Sequence, residues 1–123
     1  MLTPGLVLLI AQALPSGGSN APSKPPEAPP MACETGRVQR RFGGTDWIVL
    51  SCADKLSMVV VSAPGNPASP FYFFLKPGRD GGYTIVGEGN GDRQASDAAG
   101  DALSKMTVAE MQALLAETRS AAR

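Results

Sequence analysis

The residues of this chain that could do chemistry gather in one short stretch, GEGNGD, from Gly87 to Asp92. Glu88, Asn90 and Asp92 alternate with glycines there, as the first oxygen ligands of an EF-hand calcium loop do. The pattern then breaks, because Arg93 stands where the turn glycine belongs and Ala99 where the closing bidentate glutamate belongs. As a phosphate-cradling loop the stretch lacks the lysine of a P-loop. Asp92 is instead well suited to cap a helix that starts after it. The primary expectation is a strand-to-helix turn; divalent-metal binding through Glu88, Asn90 and Asp92, with a further carboxylate such as Asp80, is the alternative.

Other catalytic arrangements are excluded or weak. The chain has no histidine, so no Ser-His-Asp or Cys-His nucleophile can be assembled. Ser57 and Lys55 share a face if both lie on a strand, but about 7 Å separates such positions, too far for a direct dyad. Cys33 and Cys52 alone cannot complete a zinc site, and their spacing is unlike the C-x-x-C of a redox catalyst. They are expected to form a disulfide, worth about 3 kcal/mol for a loop of this size. No cofactor is implied. Eleven basic and eleven acidic residues balance, which argues against a nucleic acid partner.

The disulfide expectation rests on export. The apolar run GLVLLIAQAL, Gly5 to Leu14, has the length of a signal-peptide core and is too short for a stable membrane span; Ala11 and Ala13 supply an A-x-A cleavage pattern. No Lys or Arg precedes Leu6, so the positive start is missing, which an upstream start codon or the amino terminus itself would explain. Residues 1–13 are thus expected to be a signal peptide or its remnant. Residues 14–31, holding Pro15, Pro22, Pro25, Pro26, Pro29 and Pro30 among glycines and serines, are a disordered linker by composition. The expected destination is the periplasm or the extracellular space.

Residues 32–121 are expected to form one α+β domain, an antiparallel β-meander of four to five strands with two C-terminal helices packed on one face. GRVQRRF and TDWIVLSC flank Gly43-Gly44, a hairpin turn that sets Val38 opposite Val49 and Cys52 opposite Thr35. A bulge or shifted turn must then bring Cys33 into register. Arg37, Arg40 and Arg41 read as charges guarding an edge strand. KLSMVVVSA (Lys55 to Ala63) makes a third strand, apolar on both faces toward its end, FYFFLK a fourth and YTIVGE a fifth. Ala95, Ala98, Ala99, Ala102, Leu103 and Met106 recur at helical spacing. A second helix begins in a Thr107–Glu110 capping box and buries Val108, Met111, Leu114, Leu115 and Thr118.

These elements frame the main functional question. Alternation sends Phe71, Phe73 and Leu75 to one face of the sheet and Tyr72, Phe74 and Lys76 to the other; two helices cover one face only, so the second is either covered by the N-terminal segment or an association surface. The leading expectation is a non-enzymatic exported domain that binds a protein or peptide through the apolar face bearing Tyr72 and Phe74, or through the Pro64 to Pro70 loop with Asn66 and Pro67. Alternatives are the histidine-free enzyme or metal binder above, and a structural protein that associates with itself through the same face.

Overall fold

The computed structural model describes residues 32–122. The segments read as a signal peptide (1–13) and a linker (14–31) lie outside the described residues. Five strands, β1 (Thr35–Phe42), β2 (Thr45–Ser51), β3 (Met58–Ser62), β4 (Phe71–Pro77) and β5 (Tyr83–Gly89), precede two helices, α1 (Arg93–Ser104) and α2 (Val108–Ala121). The strands pair in sequence order, each antiparallel to the next. This is the α+β meander that the turn chemistry predicts.

The β1–β2 hairpin turns through Gly43 and Gly44, with φ of 62° and 87°, values that glycine takes without steric cost. Val38 lies opposite Val49 as expected, but Thr35 faces Ser51, not Cys52, because the register shifts by a bulge between Thr35 and Val38. Cys33 and Cys52 are joined by a disulfide, and the Ala53 amide donates to the Ala32 carbonyl at 2.8 Å. The open end of the hairpin is therefore held both covalently and by the backbone.

β3 starts at Met58, three residues later than its apolar composition suggests. The reason is Asp54, whose carboxylate accepts from the amides of Leu56 (2.9 Å) and Ser57 (2.8 Å) and from the Ser57 hydroxyl (2.7 Å). These bonds fold residues 53–56 into a turn that competes with the ladder, and Lys55 sits within it at φ 63°. Lys55 and Ser57 thus do not share a strand face, and the serine hydroxyl is directed at a carboxylate.

Both helices lie on the face that carries Trp47, Val49, Met58, Val60, Phe73 and Leu75, each no more than 5% exposed. Ala99 and Leu103 of α1 and Met111 and Leu114 of α2 complete this core. At its centre the Trp47 ring stands 5.3 Å from that of Phe73, which is 4.9 Å from Phe71. Each such side chain contributes about 1.5–3 kcal/mol by leaving water. Asp92 caps α1 by accepting from the Ala95 amide, and the Thr107–Glu110 capping box is complete in both directions. Two stripe positions differ from expectation. Ala98 is exposed because the α1 backbone itself, not a side chain, abuts the sheet at Gly43. Val108 is 42% exposed because, as the first residue of α2, it stands at the open end of β5, beside Tyr83 and Ile85.

Candidate functional site

The face of the sheet opposite the helices is the candidate site, and strand register fixes its layout. Leu50, Val59, Phe74 and Val86 form one row across β2 to β5, and Ile48, Val61, Tyr72 and Glu88 form the next. On the other side of the first row, Lys76 pairs with Thr84. None of these residues belongs to the helix-covered core. Val59 is buried within the patch, Ile48, Leu50, Val61 and Phe74 are half-buried, and Val86 is 55% exposed. No described helix lies on this face. Tyr72 donates to Glu88 at 3.3 Å across the strand pair.

The sequence chose these strands for both faces at once. β3 reads MVVVS, apolar at every position from Met58 to Val61, so it must present apolar side chains both ways. β4 does the same with Phe71, Phe73 and Leu75 toward the helices and Tyr72 and Phe74 away from them. On β5 the alternation weakens: Gly87 takes the helix side because a Cβ there would stand 3.0 Å from ring atoms of both Phe71 and Phe73. Glycine at this position therefore reflects close packing of two rings.

That observation also changes how GEGNGD is read. Strand β5 extends through Gly89, so only its second half is a connection. Glu88 lies in the helix-free face beside Tyr72, whereas the Asp92 carboxylate is engaged at the N-terminus of α1 (2.9 Å to the Ala95 amide). The two do not converge on a common point, and among the described residues no group of three or more acidic or cysteine side chains is placed to hold a metal ion. Asp80 accepts from the Gly82 amide in the β4–β5 turn.

The Pro64 to Pro70 loop and the end of β5 form one bracket. Asn66 is buried; its amide nitrogen donates to the Asp46 carbonyl at 2.6 Å and its oxygen accepts from the Ala68 amide at 2.8 Å. The Asn90 amide donates to the Pro70 carbonyl (3.1 Å) and the Asp92 amide to the Pro67 carbonyl (2.9 Å). Asn66 thus holds the loop, and Pro67 is the exposed member of the pair. The composition of the loop hides this, since an asparagine that braces a turn and one that greets a partner look alike in a sequence.

Two ion pairs tie charges of β1 to their neighbours. Arg40 reaches Glu117 of α2, and Arg41 bonds Asp46 at 2.9 Å across the hairpin, so β1 meets its partners with the charges that also guard its edge. Lys76 and Glu88 take part in none of the ion pairs among the described residues. At the β2–β3 turn, burial works to raise the Asp54 carboxyl. The amides of Ser57 and Leu56 and the Ser57 hydroxyl outweigh it and hold the group below the usual carboxylate range. Burial, aided by the nearby Asp54 charge, pushes the Tyr83 phenol up.

Among the described residues no helix is long and apolar enough to cross a membrane. No protein-family model matches this chain, and neither a curated protein nor a solved structure matches it.

Proposed function

We propose that this chain is an exported binding domain that holds the apolar surface of a protein partner against the helix-free face of its sheet. The observation that carries this reading is the row Leu50, Val59, Phe74 and Val86, extended by Ile48 and Val61. It is a contiguous apolar strip on a face that no described element covers, and such strips mark association surfaces. Its rim is polar, with Lys76, Thr84 and Glu88 at the β4–β5 side, the arrangement of an interface core and rim. The disulfide between Cys33 and Cys52 supports an oxidising compartment, periplasmic or extracellular. The acidic side chains favour binding over catalysis, since Asp54, Asp80 and Asp92 are engaged by backbone amides.

The test has two arms. Val86→Glu and Phe74→Glu are expected to leave the circular dichroism spectrum native while abolishing recovery of the bound protein; Gln112→Glu on exposed α2 leaves recovery intact. Mass spectrometry of the secreted chain is expected to find an N-terminus after Ala13. A chain beginning at Met1 and retained with reduced thiols would refute export.

A further inference from the structure

The helix-free face carries its charges in a pattern that selects its occupant, and the inference rests on the binding face proposed above. Lys76 lies on β4 two residues to one side of Phe74, and Glu88 lies on β5 two residues to the other side of Val86, with Phe74 and Val86 paired. Both side chains project from the same face as Phe74, because side chains two apart on a strand share a side. The apolar row thus has a positive flank and a negative flank at equal spacing.

We propose that the occupant of this face is a second copy of the chain, packed sheet to sheet about a twofold axis that crosses the strands at the level of the Phe74–Val86 row. Such an axis reverses strand direction and keeps each strand over its own copy. Phe74 and Val86 meet their counterparts at the centre. Each Lys76 comes to the level of the other copy's Tyr72 and Glu88, so the Lys76–Glu88 contact forms twice. Face-packed sheets stand about 10 Å apart and neighbouring strands about 4.8 Å; an extended lysine and an extended glutamate reaching from opposite sheets span that diagonal. A twofold interface must be self-complementary. A heterologous partner imposes no such requirement, and nothing in its chemistry would demand opposite charges placed symmetrically about the apolar row. Ile48, Leu50 and Val61 extend the contact toward β2, and the aligned packing of two twisted sheets accommodates the strip.

The test is charge reversal read by sedimentation equilibrium of the mature chain, residues 14–123. The wild type is expected to be dimeric. Lys76→Glu and Glu88→Lys each place like charges together at both symmetry-related contacts and are expected to raise the dissociation constant about tenfold. The double variant K76E/E88K restores both contacts with their signs exchanged and is expected to return to within about threefold of the wild type. A double variant that dissociates as much as the singles, or more, overturns the proposed pairing. A monomeric wild type overturns the dimer altogether, and Val86→Glu then decides the underlying reading. If that variant remains folded, the open face stands with a different protein as its occupant; if it unfolds, the face is interior and the binding reading falls as well.

Discussion

The two faces of the sheet are built from the same strands and differ in what lies over them. Trp47, Val49, Val60, Phe73 and Leu75 face the helices and are at most 5% exposed. Their neighbours in sequence, Ile48, Leu50, Val61 and Phe74, are as apolar and face the other way, half-buried around a buried Val59. Hydrophobicity along the chain therefore does not distinguish the faces. The distinction comes from the C-terminal helices, whose narrow stripes (Ala99 and Leu103; Met111, Leu114 and Thr118) can cover one layer. The chain presents more apolar sheet than its described helices cover, and the surplus lies in one strip.

The comparison is tested most severely by truncation on each side. Trp47→Ala is expected to cost about 3–5 kcal/mol in urea denaturation, because it empties the centre of the aromatic cluster. Val86→Thr, on the open face, is expected to stay within about 0.5 kcal/mol. A loss above about 1.5 kcal/mol for Val86→Thr would erase the distinction between the faces. The disulfide supplies the next effect: Cys33→Ser with Cys52→Ser is expected to cost about 3 kcal/mol, since a sheet covered on one side relies on the staple that closes the β1–β2 hairpin. An equal stability with and without reductant would show the hairpin held by its ladder alone.

Most of the fold was legible in the sequence for local reasons. Gly43-Gly44, the Thr107–Glu110 box and Asp92 act on backbone groups within three or four residues, so a reader of the chain can place them. Alternation also separates Phe71, Phe73 and Leu75 from Tyr72 and Phe74; which set meets the helices comes from the fold. What escaped was set by contacts distant in the chain. Asn66 looks like a free loop residue until the Asp46 carbonyl, twenty residues away, accepts its amide proton. Gly87 looks like a loop glycine until the rings of Phe71 and Phe73 arrive beside it. Lys55 was drawn into a strand by its β-branched neighbours, although Asp54 already held the local donors that close a turn. The candidate face was half legible: its β4 members follow from alternation, but the pairing of Lys76 and Glu88 about one row needs the register.

Within the hairpin turn the same contrast appears at single-residue scale. Gly43 and Gly44 both have positive φ, yet a Cβ on Gly43 would stand 2.5 Å from the Ala98 backbone carbon, while one on Gly44 would meet nothing within 4 Å. Gly44→Ala is expected to cost about 1–2 kcal/mol from its left-handed backbone. Gly43→Ala adds displacement of α1 to that cost and is expected to be the more destabilising by at least about 1 kcal/mol. Equal losses would mean that α1 is free to move away from the sheet.

The smallest effect concerns the β2–β3 turn and the adjoining start of β5 and is read by pH. The folded Asp54 carboxyl titrates below its unfolded value of about 3.9, so its contribution to stability is present above that value and lost as pH falls through the folded one. Tyr83 is raised above its unfolded value by burial and by the Asp54 charge, so its contribution is present below about pH 10 and lost as pH rises through the folded value. Both arms share Asp54, and the Tyr83 hydroxyl also lies 3.4 Å from the Leu56 carbonyl of the same turn. Asp54→Asn is therefore expected to flatten the acid side of the stability curve and to let Tyr83 ionise at lower pH. With two tyrosines in the chain, ultraviolet titration in a Tyr72→Phe background isolates the Tyr83 phenolate. An unmoved Tyr83 titration would show that the β2–β3 turn and the β5 edge are electrostatically independent, leaving the helix-side packing of Tyr83 and Ile85 as their connection.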